Sequence, residues 1–339
     1  MKIRSLLLVC FLWAAAASPV LAQNARNGTS AASQMMIPVD ARFLGGAGAA
    51  ASASGIEGVL WNPAAVDKGP GEVLLMVSRR QHIADIGINF GAIGYRFGDL
   101  GAFAIHLRSF DIGEIEETTE FNMDGTGATF SPTFFTLGGT YSRQMTDRIN
   151  FGVTTNVIYE GFANVSTSGV AFDAGVQYED FLNLSGLRIG VAIRNIGTAM
   201  TYGGSGLFRE AQVGDADRAP TRYKIAAADA DMPTIIDLAV AYSPVQNLNL
   251  SMTYNENTYA PSEVRGLAEY DFMGYVDARV GYTYSVAEQE QLDNIYQGVA
   301  FGGSLNLQQA IGEQISLDYG YVPVDYFQAN HMFTLRGSL

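Results

Sequence analysis

Along most of the chain, apolar and polar residues alternate with a period of two. In 149–159, Ile149, Phe151, Val153, Val157 and Tyr159 share one side, while Asn150, Gly152, Thr154 and Asn156 share the other. The stretch 248–255 sets Leu248, Leu250, Met252 and Tyr254 against Asn249, Ser251, Thr253 and Asn255. In 276–284, Val276, Ala278, Val280, Tyr282 and Tyr284 oppose Asp277, Arg279, Gly281 and Thr283, and 187–194, 236–242 and 315–321 repeat the pattern. Side chains of an extended chain point alternately to opposite faces, so each run predicts a strand with one apolar and one polar or small-residue face. Turn signals such as Gly98-Asp99, Thr146-Asp147-Arg148 and Gln246-Asn247 separate the runs. The predicted strands are 72–80, 86–97, 100–115, 131–144, 149–161, 166–179, 187–200, 233–243, 248–257, 262–271, 275–285, 296–306, 313–323 and 328–338, about fourteen in all.

Such strands suit either a soluble sandwich or propeller, or a barrel whose apolar face meets lipid. Lengths of about 10–14 residues match a tilted strand crossing the hydrocarbon layer. Tyr95, Phe97, Phe130, Tyr141, Tyr159, Tyr178, Tyr242, Tyr270, Phe272 and Tyr284 lie near strand ends, where an interfacial girdle belongs. Connections alternate between tight turns and long polar excursions, and the final stretch, with Phe333, Leu335, Gly337 and Leu339 on one side, is placed to close a ring. The expected fold class is therefore all-β: an antiparallel transmembrane β-barrel in an outer membrane.

Composition sharpens this picture. The chain has 339 residues, 16% of them charged, with a formal net charge of −14. That charge repels phosphate backbones and excludes a nucleic-acid partner. The single Cys10 excludes a disulfide scaffold and a cysteine zinc site. Residues 1–22 open with Lys2 and Arg4, continue through an uncharged apolar run, and close on Val20-Leu21-Ala22, the pattern of a secretory signal. The expected organisation is a signal peptide at 1–22, an N-terminal segment and luminal hatch at 23–70, and the barrel at 71–339. Within the second part, 45–56 are almost wholly Gly, Ala and Ser, which lets backbone approach backbone closely. Asn62 followed by Pro63 predicts a capped helical start.

Ile37-Pro38-Val39-Asp40-Ala41-Arg42, then Gly45-Gly46-Ala47-Gly48-Ala49, then Trp61-Asn62-Pro63-Ala64 resemble the N-terminal motifs of PorV/PorQ-type proteins, within the wider FadL-like superfamily. The resemblance covers about thirty residues. Two positions depart from it: Leu44 stands before the Gly pair where relatives commonly have Met, and Ala65-Val66 replaces a common Gly-Leu. The resemblance implies a fourteen-stranded barrel with a hatch carrying Asp40, Arg42, Gly46, Gly48, Trp61, Asn62, Pro63 and Ala64. It also implies one of two non-enzymatic roles. PorV-like members handle exported proteins in type IX secretion, with cargo or secretion machinery as partners; FadL-like members pass apolar small molecules through a lateral opening. The first is the leading expectation and the second its alternative, with a soluble envelope β-protein used in adhesion as a third. An apolar cavity between hatch and wall would favour uptake. A wide lateral gap with an acidic outer face would favour protein traffic.

Other chemistry is thinly represented. Gly46-Ala47-Gly48-Ala49-Ala50-Ala51 fits G-x-G-x-x-A but follows no buried strand, so no nucleotide site is expected. His82, His106 and His331 are scattered, without metal-type spacing or a nucleophile arrangement. Asp215/Asp217 and Asp229/Asp231 in one loop, and Glu114, Glu116, Glu117, Glu120 and Asp124 in another, offer oxygen donors for Ca²⁺ or for bridging lipopolysaccharide phosphates. The plainer reading is solvated acidic loops, and no other cofactor is expected. Charge on a lipid face costs about 2–4 kcal/mol near the midplane. Arg96, Arg108, Arg188, Arg194 and Arg279 are therefore expected in the lumen, pairing with Asp173, Asp237, Asp277 or Asp318 to hold wall and plug together. Gly113 and Gly302-Gly303 are candidate bends where a wall could open.

Overall fold

The computed structural model describes residues 28–211, 221–286, 295–308 and 312–339. The expected leader at 1–22, together with Asp215 and Asp217, lies outside the described residues.

Eighteen strands follow in chain order: β1 (Val73–Gln81), β2 (Gly87–Arg96), β3 (Ala102–Asp111), β4 (Ile115–Glu116), β5 (Thr129–Phe130), β6 (Thr133–Thr146), β7 (Ile149–Phe162), β8 (Val165–Tyr178), β9 (Leu187–Gly197), β10 (Phe208–Ala211), β11 (Thr221–Lys224), β12 (Ile235–Val245), β13 (Leu248–Asn257), β14 (Glu263–Phe272), β15 (Val276–Ser285), β16 (Gly298–Asn306), β17 (Gln314–Val322) and β18 (Asn330–Ser338). Fourteen of these close into an antiparallel barrel, while β4–β5 and β10–β11 are separate hairpins. The seam is β1 against β18, in register from Leu74↔Ser338 to Gln81↔His331. Apart from the β1–β18 seam, each barrel strand pairs with the barrel strand before it in the chain, across the long connections from β3 to β6 and from β9 to β12 in two cases.

Alternation decides which face is which. Val77, Ile105, Leu137, Val157, Leu238, Val280, Phe301, Leu317 and Leu335 point outward and are exposed, although all are large and apolar. Intervening residues such as Ser78, Thr140, Thr154, Thr253, Ser304 and Thr334 point inward and are buried. An apolar belt on every side of a closed ring is stable only against hydrocarbon. The barrel thus has the architecture of an outer-membrane protein, which sets aside the soluble alternative. Aromatic pairs mark one end of the belt, with Tyr95–Phe97 at 4.8 Å and Tyr270–Phe272 at 4.7 Å between centroids. Among the described residues no helix is long and apolar enough to cross a membrane; the crossing is made by strands.

One rim carries the turns 147–148 and 246–247, together with the start of β1 and the end of β18; the other carries the excursion 112–132 and the described parts of the connection from β9 to β12. Residues 28–70 run through the lumen from the long-loop rim to the short-turn rim. At one end the Ala31 amide donates to the Asp231 carbonyl at 3.0 Å; at the other, Arg96 donates to the carbonyls of Gly69 at 2.7 Å and Gly71 at 2.6 Å. Two single-turn helices, α1 (Ala49–Ser52) and α2 (Gly58–Trp61), and a 3-10 turn (Pro63–Ala65) lie within this segment. Val39, Phe43, Val59, Leu60 and Trp61 pack with wall residues such as Leu74, Met76, Ile88, Phe90 and Met332, so the apolar core lies inside the barrel.

Neither candidate bend interrupts the wall. Gly113 lies beyond the end of β3, in the external loop. Pairing runs unbroken across Gly302 and Gly303 on both sides, through Arg279↔Gly302, Ala278↔Gly303, Gly302↔Gly320 and Gly303↔Tyr319. Inward Gly302 makes room instead: an added Cβ there would stand 3.0 Å from Leu44 Cδ2, and one on Gly320 would stand 3.2 Å from it. Register shifts fall elsewhere, one of them between Phe172 and Ala174 on the β8–β9 seam.

Candidate functional site

The site is the hatch and the two cavities it separates. Asn62 caps the Pro63–Ala65 turn by accepting from the Ala64 amide at 3.1 Å. Its Nδ2 donates to Ala50 O at 2.7 Å and to Val176 O, on β8, at 3.1 Å. One side chain thereby ties α1, the turn and the wall together. Trp61 Nε1 donates to Asp40 Oδ2 at 2.9 Å, and the Arg42 amide donates to Asp40 Oδ1 at 2.9 Å. Burial, reinforced by the neighbouring Glu57, pushes the Asp40 carboxyl up to about 6. Gly48 donates through its amide to Thr253 Oγ1 at 2.8 Å. Gly46 sits so close to the Trp61 ring that no side chain fits there. Its φ of +105°, with +104° at Gly45, is also backbone that glycine tolerates best.

Below Asp40 a ring of ion pairs joins hatch to wall. Arg42 Nη1 meets Glu57 Oε2 at 2.8 Å and Arg42 Nη2 meets Glu269 Oε1 at 3.3 Å. Arg279 meets Glu269 at 2.7 Å, Asp277 at 3.1 Å and Asp318 at 3.4 Å. Arg336 completes the circuit, with Asp318 at 2.6 Å and Glu57 at 2.6 Å. Three guanidinia thus alternate with Glu57, Glu269 and Asp318. Partners of opposite charge offset the cost of burying these ions. Of this ring the sequence reading named Arg42, Arg279, Asp277 and Asp318, and it missed Arg336, Glu57 and Glu269. A signal existed for two of them: Arg336 alternates with Thr334 on a polar strand face, and Glu57 is the sole acid between Asp40 and Asp67.

The remaining expected lumen cations have varied partners. Arg194 pairs with Asp237 at 2.7 Å and donates to Leu60 O at 3.1 Å. Arg188 donates to Asn249 Oδ1 at 2.6 Å. Arg108 donates to hatch carbonyls, Gln34 O at 3.3 Å and Ile37 O at 3.4 Å, and Arg96 to the carbonyls at the hatch exit; neither has a carboxylate in an ion pair. Asp173 accepts from the Asn195 amide at 2.6 Å and from Asn156 at 2.8 Å, within the β8–β9 register shift. Asp229 and Asp231 are engaged by Thr201 and Tyr259, and no cluster of three or more metal-ligating side chains occurs among the described residues.

On the long-loop side, a cavity of about 430 Å³ opens between the hatch and β13–β17. Its walls include Met36, Ile37, Pro38, Leu44, Tyr259 and Val322, with Arg80, Glu263 and Arg265 among the few charged groups. On the short-turn side, a polar cavity of about 360 Å³ is lined by Arg42, Glu57, Lys68, Arg96, Asn306 and Arg336. The turn from Arg42 to Gly45 is the partition, since Arg42 faces the polar space and Leu44 and Gly45 face the apolar one.

No protein-family description matches the sequence, and no curated relative does. Solved structures do match. The toluene transporter TodX of Pseudomonas putida aligns with a TM-score of 0.56 at 11% identity, over 89% of this chain and 97% of that one. A FadL homologue of Pseudomonas aeruginosa aligns with a TM-score of 0.53 at 13% identity, over 89% of this chain and 98% of that one. CymD, a monoaromatic hydrocarbon channel, gives a TM-score of 0.52 at 13% identity, over 89% of this chain and 97% of that one. The fold of this chain is that of the FadL-like outer-membrane barrels.

Proposed function

We propose that this protein admits apolar small molecules across an outer membrane, binding them first in the cavity between hatch and β13–β17. The observation that carries the reading is the cavity itself. Hydrocarbon gains nothing from the polar lumen of an open pore, whereas a pocket of about 430 Å³ walled by Met36, Ile37, Leu44 and Val322 removes its surface from water. The structural neighbours include a toluene transporter and a monoaromatic hydrocarbon channel, which supports the same direction. Handling of exported proteins, the leading expectation from the sequence, has less support. The strand ring is closed among the described residues, so it holds neither the wide gap expected for such cargo nor a ready lateral opening for a small molecule, and what separates the two readings is the apolar cavity. The hatch motif Trp61-Asn62-Pro63-Ala64 and the acidic outer loop at 114–124 are what remain in its favour.

The test is deletion of the gene, followed by two measurements on the same cells. Uptake of a radiolabelled apolar compound such as toluene should fall several-fold, while surface display of exported proteins should stay unchanged. Loss of display with intact uptake would reverse the assignment.

A further inference from the structure

We propose that a polar notch in the lipid-facing wall, at the long-loop end of β1–β3, seats the phosphorylated headgroup of an outer-leaflet glycolipid, with Arg79 as the phosphate contact. The notch lies on the outside of the barrel and is separate from both luminal cavities. Strand pairing sets one outward row around this part of the wall. In it Tyr319 stands opposite Phe333, Phe333 opposite Arg79, and Arg79 opposite Asn89. The row continues from Asn89 to Ser109, from Ser109 to Phe135 and from Phe135 to Tyr159. Directly opposed residues share a face. Three polar side chains therefore stand between two aromatic pairs, Tyr319–Phe333 and Phe135–Tyr159, each with centroids 5.2 Å apart. Such aromatics mark the headgroup level of a bilayer, and on β1–β3 that girdle is interrupted.

Arg79 is exposed on the lipid side of β1. Its Nη1 donates to Asn89 Oδ1 at 3.1 Å, and it takes part in none of the ion pairs found among the described residues. One row nearer the rim, Gly87 stands opposite both Gln81 and Asp111. A Cβ on Gly87 would lie 3.4 Å from Arg79 Nη2 and 3.7 Å from Asp111 Oδ2, so a cation and a carboxylate lean over the same glycine. The strands are also short here, with 9, 10 and 10 residues in β1–β3 against 14 in each of β6, β7 and β8. The wall ends sooner on this side, which brings the headgroup layer down against the notch. A planar guanidinium meets two phosphate oxygens at once in charge-assisted bonds. Asp111 repels a bare anion but accepts from a hydroxyl or amide, and a phosphorylated sugar carries such donors beside its phosphate. Acyl chains attached to that sugar would run down the wall over Val77, Ile105 and Leu107, which are exposed on the same three-strand face or its edge. Charge, donors and continuity with the apolar belt thus converge on one occupant.

The experiment titrates the full-length protein, in nonionic detergent, with diphosphoryl lipid A and separately with phosphatidylethanolamine, and counts bound lipids by native mass spectrometry. Wild type should retain lipid A about fivefold or more tightly than phosphatidylethanolamine, and a large excess of inorganic phosphate should not displace it. Arg79→Gln should weaken retention about tenfold, and Gly87→Leu, which pushes the guanidinium aside, should do the same. Arg79→Lys should keep most of the binding. Arg143→Gln, at an exposed position of β6 near the opposite rim, should change nothing. Retention unaltered in folded Arg79→Gln overturns the proposal. So does equal or tighter binding of phosphatidylethanolamine, and so does displacement by phosphate alone, which would mark an anion site without a lipid. A dimer mass in lipid-free wild type that disappears in Arg79→Gln would assign the notch to a second copy of the chain and overturn it as well. The wild-type comparison of the two lipids needs no variant, so a substitution that fails to fold, seen as lost heat-modifiable gel migration, does not shield the idea.

Discussion

Glu57 has no exposed side-chain surface and stands between Arg42 and Arg336 at 2.8 and 2.6 Å. Removing its charge leaves two guanidinia competing for Glu269 and Asp318. Breaking a buried pair from one side costs about 3–5 kcal/mol, so Glu57→Gln should lower unfolding stability by about that amount in a urea titration of reconstituted protein. A loss below about 0.5 kcal/mol would mean that the hatch is held by packing alone. These partners were half visible in the sequence: Arg42 and Glu57 are the only ionised residues between Asp40 and Asp67, and they find each other. Glu269, Asp318 and Arg336 sit some 200 to 300 positions away, and no local pattern says that three distant strands will meet one loop. A second residue, His82, has its pKa lowered to about 4 by burial and then by Arg80. The unfolded chain takes up the proton near 6.5 and the folded one near 4, so stability present above the higher value is lost as pH falls through that window. Between pH 7 and pH 4.5 the thermal midpoint of wild type should therefore drop more than that of His82→Gln, and parallel curves would refute this.

At the scale of elements, hatch and wall fit because inward glycines leave hollows. A side chain on Gly190 would run into Ala50 O, and one on Gly175 into Asn62 Oδ1. Gly139 faces outward and has only Phe103 near it, at 3.7 Å. Gly175→Val and Gly190→Val should each cost about 1–3 kcal/mol by overpacking and make the hatch more accessible to protease. Gly139→Val should be neutral in both measurements, and a hatch indifferent to all three would contradict the socket. Strands were the most legible feature, because neither a helix nor a loop sustains a period of two over ten residues. The third strand was read too long, to 115 rather than Asp111, because apolar Ile112 and Ile115 carry the mixture of apolar and polar residues past its end into the external loop. At the glycines, periodicity reports only that a side chain is missing, while the fold reports that Leu44 occupies the space at Gly302.

For the molecule as a whole, the luminal segment is what fills the barrel. With residues 28–70 in place, the lumen is filled by the core around Phe43 and Trp61 and crossed by the ion-pair ring. Deleting 35–70 should convert a silent protein into one with large, steady conductance in planar bilayers; equal currents before and after would show that water already passes beside the hatch. The class of this architecture was readable from alternation and aromatic placement, whereas the two cavities were not, since each is a space bounded by residues from opposite ends of the chain. The first described residues of the luminal segment are bonded beside Asp231 and Tyr259, and its last hand directly into β1, whose outer edge meets β18. A cord made fast at each mouth links the two open ends of the cylinder across its bore, so a pull on one mouth is felt at the other.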